Sequence, residues 1–292
     1  MVKWDNIRLK LYDARANRIR PLLDDKILTD WNALMIAAFA KSGAVFQHQE
    51  FINIAQKAYS FIEEHLTTKT ELFHRFKDEE AAIPAFSDDY LNLAWAGLEL
   101  YQATFNEQYL VDTKDFLDNA INKFWDLENG GFYLTNDHSD QPLGLQKLIY
   151  DGAIPSSNSV GLMCLVKISR ITGDQSYEEK AHLLGEFFSS DLIRSGSSIT
   201  MSMMALQFLN QNSGEIVVAT GNNDKSELKE FLLAEFIPNK IILWKNSPDE
   251  LIEIAKFTAQ QNQKNGATQI YVCENYACDQ PVSNLEELRA KL

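Results

Sequence analysis

The chain has 292 residues, of which 45% are hydrophobic, and its formal net charge at pH 7 is −14. This size and composition exclude a wholly disordered chain and predict one large domain, or a main domain with a smaller one. The acidic balance disfavours nucleic acids and anionic membrane surfaces as partners, because both attract clustered Lys and Arg side chains.

The N-terminal residues and the cysteines indicate a compartment. MVKWDNIRLK lacks the apolar core of a signal peptide, and no segment reaches the roughly 18 apolar residues of a membrane-spanning helix. We therefore expect a cytoplasmic protein. Cys164, Cys273 and Cys278 are too few for a disulfide framework and lack zinc-site spacing, so free thiols are expected. A redox pair of Cys273 with Cys278 is the less favoured alternative.

Apolar residues recur at helical spacing from Trp4 to about Asn210. The pattern predicts helices at 4–18, 27–42, 49–66, 88–104, 107–125, 157–171, 175–189 and 198–210. Two short segments between them, ELFHRF and GGFYLT, have the composition of extended arms. The first 210 residues are therefore predicted to be mainly α-helical.

The predicted helices alternate in character. LMIAAFAKSG, LNLAWAGLELYQATF and SVGLMCLVKISRITG are apolar on nearly all faces, whereas the helix after each has one charged side. Helices that are apolar all round are buried, and amphipathic helices cover them. We therefore expect a partial (α/α) toroid of helical hairpins with inner and outer layers. Gly43 and Gly173 are predicted to end inner helices as left-handed caps.

An internal repeat supports this architecture. Asp25, Asp88 and Asp151 precede the three inner helices at equal intervals of 63 residues, and His74 and His138 lie 64 residues apart in the linkers. A fixed period of this kind is typical of repeated supersecondary units. We predict about three hairpin repeats in a domain of residues 1–212, with the three aspartate loops on one rim.

The pattern changes after Ser213. EIVVATG, NKIILW and TQIYVC have the composition of strands and alternate with KSELKEFLLAEF, DELIEIAKFTAQ and LEELRAKL, which are helix-like. This alternation predicts a small α/β domain with a parallel sheet at residues 213–292. The turn after EIVVATG is interpreted as a plain βα turn rather than a nucleotide site, since one glycine is a weak signal.

The loop RPLLDDKILTDWN, residues 20–32, carries more polar groups than a helix start requires. Asp24 or Asp25 would cap the next helix, which leaves the remaining polar side chains for a binding site. The same excess recurs in FSDDYLNLAWAG, where Ser87 or Asp88 would cap, and in YDGAIPSSNSVG, where Ser157 or Asn158 would cap. The recurrence favours a functional rim, with helix capping alone as the alternative.

Such a rim suits a sugar, because hydroxyls need donors and acceptors and C–H faces stack on aromatic rings. Glycoside hydrolysis would need two carboxyl groups that face each other. Epimerisation would need an acid and a base on opposite faces of the sugar, for which His74 and His138 are the candidates, unless they are packing or surface residues. No P-loop, GxGxxG or GxSxG motif occurs, and we predict neither cofactor nor metal.

Five ordered motifs carry a resemblance to a known family. RPLLDDKILTDWNALMIAAFAKSG, FSDDYLNLAWAGLELYQATFNEQYL, GGFYLT, YDGAIPSSNSVG and YVCENYACDQPV resemble the C-terminal region of the YyaL and spermatogenesis-associated family of thioredoxin-domain proteins. The resemblance implies a helical domain similar to six-hairpin glycosidases and N-acylglucosamine 2-epimerases. This chain has no thioredoxin-like part, so a redox role is not carried over. The first hairpins are also missing, which predicts either a fragment or a homo-oligomer that covers exposed apolar helix faces.

The predicted function is therefore carbohydrate-related, either glycosidase-like or epimerase-like, with a sugar or glycan as the ligand. The catalytic candidates are Asp25 and Asp89 as acid and base and Asp151 as a substrate ligand or second carboxylate; Trp31 and Tyr90 are the stacking candidates. The substrate-binding candidates are Arg20, Asp24, Lys26, Trp31, Asn32, His74, Asp88, Tyr90, His138, Ser156 and Asn158. The alternative is a non-catalytic scaffold that binds a glycan or a protein.

Overall fold

The computed structural model describes residues 2–136, 144–211, 213–222, 225–274 and 277–292. The helices in these ranges are α1 (Val2–Ala16), α2 (Thr29–Val45), α3 (Gln49–His65), α4 (Ser87–Thr104), α5 (Gln108–Phe124), α6 (Ser157–Thr172), α7 (Gln175–Phe187), α8 (Ser189–Ser195), α9 (Thr200–Asn210), α10 (Ser226–Ala234) and α11 (Leu285–Arg289). The strands are β1 (Ile27–Leu28), β2 (Phe73–Lys77), β3 (Glu80–Pro84), β4 (Gly214–Ala219), β5 (Lys240–Lys245), β6 (Gln269–Glu274) and β7 (Ala277–Cys278). The predicted mainly helical fold is confirmed.

The helices form two layers. α2, α4, α6 and α9 pack side by side in this order, and α3, α5 and α7 pack against the outside of α2, α4 and α6. Within α4 and α6, which the structure describes completely, no residue is exposed. The predicted distinction between apolar inner helices and amphipathic outer helices therefore matches the observed layers.

Glycine has different roles at the two predicted helix ends. Gly173 ends α6 with φ of 73°, as predicted for a left-handed cap. Gly43 is instead an internal residue of α2, so the predicted cap there is wrong. A Cβ at Gly43 would lie 2.6 Å from Cγ1 of Ile52, so glycine is needed because α2 and α3 approach each other closely.

A small antiparallel sheet joins the helices near their N-terminal ends. β2 lies between β1 and β3, and Leu28 of β1 pairs with Arg75 of β2. The predicted extended segment ELFHRF is thus confirmed. The other predicted arm, GGFYLT, contributes only a single bridge between Trp125 and Phe132 rather than a strand.

The C-terminal sheet is mixed rather than parallel. Its order is β5-β4-β6-β7, and only the β4–β5 pair is parallel. The parallel prediction fails at β6 because the segment before it does not form the expected crossover helix. In that segment Leu251 has φ of 66°, outside the α-helical region, and its backbone N–H donates to Oε2 of Glu107 at 2.7 Å. The predicted helix DELIEIAKFTAQ is replaced by turns and a short 3-10 helix, Lys256–Gln260.

The prediction of three free thiols is wrong for two of the cysteines. Cys273 and Cys278 form a disulfide, because the β6–β7 pairing places them directly opposite each other. The spacing in the sequence did not indicate that the two residues belong to one hairpin. Cys164 is free and buried, as predicted.

The C-terminal sheet packs at the C-terminal ends of the inner helices. In α4, the Tyr101 hydroxyl accepts a hydrogen bond from the Trp244 N–H, and the Gln102 side chain donates to the Ile242 carbonyl. One hydrophobic core runs through both parts of the molecule. The division into domains at residue 212 therefore stays a prediction. No described helix combines the length and apolarity needed to cross a membrane.

Candidate active site

The N-terminal ends of the inner helices meet at one rim. Their first two residues are small or acidic: Thr29 and Asp30 in α2, Ser87 and Asp88 in α4, Ser157 and Asn158 in α6. Free N–H groups and the positive end of the helix dipole favour carboxylates at this position. The local sequence therefore concentrates acidic side chains where several helices start together.

Asp89 is the centre of this rim, and its side chain is fully buried. One carboxylate oxygen accepts the N–H of Phe86, which precedes α4, at 2.8 Å, and the other accepts the N–H of Asp30 in α2 at 3.0 Å. Nδ1 of His74, in β2, lies 3.0 Å from both oxygens. One carboxylate thus holds two inner helices and the small sheet together.

His74 is positioned by Asp89 and is partly exposed. Its side chain is 19% exposed, whereas that of Asp89 is completely buried. The hydrogen bond to Asp89 raises the pKa of His74 above its ordinary value of 6.5, although burial opposes this effect. Because Nδ1 faces Asp89, Nε2 is the ring nitrogen left to exchange a proton with a ligand.

Two further carboxyl groups lie beside this pair. Burial, opposed by hydrogen bonds from Ser157 and reinforced by the charges of Asp89 and Asp30, raises the pKa of Asp88 from 3.8 to about 6. Burial and repulsion from Asp89 also raise the pKa of Asp30. Asp88 consequently has a pKa suited to proton transfer near neutral pH.

Three side chains of this cluster are of types that bind metal ions. Asp30, His74 and Asp89 offer ligand atoms that all lie within 4.8 Å of one another. Both Asp89 oxygens already accept backbone N–H groups and face His74, so a cation would have to break these hydrogen bonds. The arrangement fits a hydrogen-bonded His–Asp pair better than a set of metal ligands.

The loop before α6 is used for internal hydrogen bonds. Asp151 accepts from the Ser156 N–H at 3.0 Å with one oxygen and from the Met201 N–H of α9 at 2.9 Å with the other. Ser156 caps α6 by accepting from Ser159. Asn158 binds both the N–H and the carbonyl of Phe132 and is completely buried. The cap of α6 is therefore Ser156, not the predicted Ser157 or Asn158, and this side of the rim holds loops in place.

The loop before α2 lies away from the cluster. Residues 20–26, including Arg20, are exposed; Asp24 forms an ion pair with Lys26, and Asp25 forms one with Lys77, each at 2.7 Å. The prediction that Asp24 or Asp25 caps α2 is wrong, because Leu28 occupies the cap position and the strand β1 separates the aspartates from the helix. In α2, Trp31 is exposed and the Asn32 amide donates to the Leu28 carbonyl.

The remaining predictions concern Tyr90, the cap of α4 and His138. Tyr90 is buried, its hydroxyl accepts from the Leu72 N–H, and its ring packs against Phe124, so neither face is open to a sugar. The prediction of a cap by Ser87 or Asp88 is also wrong, because Phe86 is the residue at the cap position of α4. His138 lies outside the described residues.

The equal 63-residue spacing does not mark equivalent positions. Asp25 lies before β1, Asp88 is the second residue of α4, and Asp151 lies several residues before α6. The equivalent positions are Asp30, Asp88 and Asn158, each the second residue of an inner helix. Asp30 was missed. The signal that finds it is a Thr or Ser followed by Asp or Asn directly before each apolar helix, in TDW, SDD and SNS.

Several known proteins are similar in sequence to nearly the whole chain. A scan against known protein families found no match. Human spermatogenesis-associated protein 20 is 29% identical over 299 residues, which cover 97% of this chain and 38% of the human protein. The rat protein of the same name is 28% identical with the same coverage, and an uncharacterized protein of Caenorhabditis elegans is 26% identical over 97% of this chain and 40% of its own. The chain thus spans about two fifths of these relatives.

Solved structures share the fold. Cellobiose 2-epimerase from Bacillus thermoamylovorans superposes with a TM-score of 0.51 at 14% identity, over 87% of this chain and 66% of the epimerase. A family 76 glycoside hydrolase from a bovine Bacteroides thetaiotaomicron strain gives a TM-score of 0.47 at 18% identity, over 56% of this chain and 35% of the hydrolase. The chain is thus similar to spermatogenesis-associated protein 20 over 97% of its length, and it shares its fold with cellobiose 2-epimerase.

Proposed function

We propose that the protein transfers protons to and from a bound sugar, in an epimerase-like reaction at the rim formed by α2, α4 and α6. The observation that carries this proposal is the cluster of His74 and Asp88 around the buried Asp89. His74 and Asp88 both have raised pKa values, and that of Asp88 is about 6. Groups that titrate near the working pH can act as acid in one direction and as base in the other.

The roles of the residues follow from their surroundings. His74 exchanges the proton through Nε2 while Asp89 holds the ring and stabilises its charged form. Asp88, on the neighbouring position of α4, is the second proton-transfer group. Asp89 positions His74 and is not itself a catalytic residue, because its oxygens are occupied by backbone N–H groups.

A sugar is the proposed substrate because of the shared fold with cellobiose 2-epimerase and the polar rim. Trp31, exposed and next to Asp30, is the proposed stacking residue. Hydrolysis of a glycosidic bond is the less favoured reaction, since one of the buried carboxylates is saturated with hydrogen bonds. Either reaction would make the protein carbohydrate-active, and we favour this over a scaffold without activity.

The test is a thermal-shift screen against monosaccharides and disaccharides, followed by incubation of each binder in D2O. Epimerase-like chemistry is expected to place deuterium on a sugar carbon, which mass spectrometry and NMR detect. Hydrolysis would release new reducing ends without deuterium on carbon and would overturn the proposed reaction.

Matched variants connect the activity to the cluster. His74→Gln and Asp88→Asn should abolish deuterium incorporation while the sugar still raises the melting temperature. Asp25→Asn, in the exposed loop, is the control and should retain activity. A protein that binds no sugar in the panel, or activity that survives both substitutions in the cluster, would overturn the proposed site.

A further inference from the structure

The disulfide between Cys273 and Cys278 has a buried side and an accessible side. Cys273 lies in β6 and is 1% exposed, whereas Cys278 lies in β7, at the edge of the C-terminal sheet, and is exposed. A thiol that attacks a disulfide must reach one of its sulfur atoms directly. Sγ of Cys278 is therefore the atom open to attack, and Sγ of Cys273 is the atom that would be released on the buried side.

The disulfide contributes little to holding its hairpin together. Only four residues separate the two cysteines, and a disulfide restricts the unfolded chain less when the loop it closes is short. The chain after Cys278 is also fixed to β6 by backbone hydrogen bonds. The N–H of Asp279 donates to the Val272 carbonyl at 3.0 Å, and Ile270 and Val282 exchange two further bonds. The hairpin can therefore keep its backbone pairing when the disulfide opens.

A buried side-chain amide faces both sulfur atoms. Nε2 of Gln261 donates to Sγ of Cys278 at 2.9 Å and to Sγ of Cys273 at 3.5 Å, and Gln261 is 7% exposed. A neutral sulfur is a weak acceptor, whereas a thiolate is charged, so the same N–H groups bind the reduced pair more strongly. Among the described residues, none donates to Oε1 of Gln261, so the amide has no other side-chain network that explains its burial. The amide is thus placed to stabilise a leaving thiolate.

Charged groups near the pair anchor this amide and neutralise the flanking carboxylates. Nζ of Lys245, which is 1% exposed, donates to the backbone carbonyl of Gln261 at 3.3 Å and to that of Thr258 at 2.7 Å. The two carboxylates next to the cysteines in the chain, Glu274 and Asp279, each form an ion pair with a lysine. An approaching thiolate therefore does not meet uncompensated negative charge at these two positions.

We propose that Cys273 and Cys278 form a redox-active pair that exchanges electrons with a dithiol. A thiolate of the donor attacks Sγ of Cys278, the Sγ–Sγ bond breaks, and Cys273 leaves as a thiolate that takes up a proton. The donor's second thiol then attacks the donor sulfur of the mixed disulfide and releases Cys278 as a thiol. Two electrons and two protons pass to the protein, and the donor becomes a disulfide. A dithiol is the fitting donor because its second step is intramolecular.

The experiment is thiol counting by mass spectrometry on the full chain. The folded protein is incubated with reduced dithiothreitol, or with glutathione as the monothiol probe, then quenched in acid, denatured and alkylated. We expect one label per chain before reduction, at Cys164, and three after dithiothreitol, with glutathione at least about 10-fold slower. Three labels before reduction, or a disulfide that dithiothreitol opens only in denaturant, would overturn the proposal.

Two single substitutions identify the attacked sulfur. In Cys273→Ser, the remaining Cys278 should react with an aromatic disulfide reagent on the order of 100-fold faster than Cys273 does in Cys278→Ser, because reactivity follows exposure. Circular dichroism should show the same fold in both variants, since the backbone pairing of the hairpin is retained. Equal rates, or the reverse order, would overturn the assignment of Cys278 as the attacked residue.

The role of Gln261 is tested by Gln261→Leu, which removes the amide at similar volume. In mixtures of reduced and oxidised dithiothreitol, the equilibrium constant for reduction should fall about 10-fold, because a hydrogen bond to a charged sulfur is lost. The pKa of the reduced thiols, followed by the ultraviolet absorbance of the thiolate, should rise, which a purely structural role would not cause. Gln207→Leu, at an exposed glutamine of α9, is the matched control and should change neither value. A Gln261→Leu variant that matches the wild type in both measurements would overturn the role of the amide.

Discussion

Carboxyl groups at the two ends of the inner helices have pKa values that are shifted in opposite directions. At the N-terminal ends, Asp30 and Asp88 lie among other carboxyls, and their pKa values are raised. At the C-terminal ends, burial alone would raise the pKa of Glu99, but Lys167 and Lys41 lie 3.7 Å away and the pKa is lowered overall. The surrounding charges, rather than burial itself, decide whether a carboxylate serves chemistry or structure.

The helix dipoles contribute to this difference. Carboxylates are favoured at helix N-termini and cations at C-termini. The Glu99 end is covered by α10 and β5, which with Lys41 and Lys167 line a cavity of about 250 Å³. The rim with His74 is instead partly open. We therefore expect substitutions at the two ends to differ in their effects on stability, on activity and in their pH dependence.

The largest effect is expected for Asp89→Ala. The variant leaves the buried N–H groups of Asp30 and Phe86 without their acceptor, at a cost of about 1–3 kcal/mol each, so the free energy of unfolding should fall by about 3 kcal/mol. Urea denaturation measures the loss. Asp174→Ala, which removes an exposed cap of α7, is the control and should cost about 1 kcal/mol. An equal loss for both variants would contradict the central role of Asp89.

The next effect is the pH dependence that Asp88→Asn removes. The pKa of Asp88 is raised from 3.8 to about 6 by folding, so between these values the folded protein keeps a proton that the unfolded chain has released. Wild-type stability should therefore fall as pH rises through this window, relative to the variant, by about 3 kcal/mol in total. Urea denaturation of both proteins at several pH values gives the difference. A difference that is constant with pH would show that Asp88 titrates normally.

Glu99→Gln is expected to change stability less than the preceding variants, and its pH dependence has the opposite sign to that of Asp88→Asn. The pKa of Glu99 is lowered below 4.5 in the folded state, so its stabilising effect is present above this value and is lost as pH falls through the folded-state pKa. We expect a loss of about 1 kcal/mol at neutral pH, because the partner Lys41 is largely exposed and regains water. The same titration by urea denaturation detects it. A variant that is destabilised most in acid would reverse the proposed role of the lysines.

The smallest effect is expected for Asp25→Asn together with Asp24→Asn. Both aspartates are exposed and form ion pairs on the surface, which contribute little to stability. Neither the melting temperature nor sugar turnover should change measurably. Loss of turnover in this variant would place the functional site in the loop 20–32 rather than at the inner-helix ends.

The sequence predicted the site only in part because hydrogen-bond partners are set by three-dimensional packing. Asp88 and Asp89 were found as a polar excess before an apolar helix, and His74 as a residue of an extended segment. Their meeting depends on β2 lying beside the start of α4, which no local pattern encodes. Asp30 was not predicted because the 63-residue spacing pointed to Asp25 instead. The short strand β1 lies between the two residues, so they do not occupy equivalent positions.

The sequence by itself determined the helical part, since apolar periodicity reflects which faces each helix buries. It also determined the inner and outer character of the helices and the change to strands after Ser213. Only the tertiary structure decided the direction of β6, the pairing of Cys273 with Cys278, and which aspartates are buried together. These features join residues far apart in the chain or on opposite sides of a turn, and their energies depend on neighbours that the local sequence does not specify.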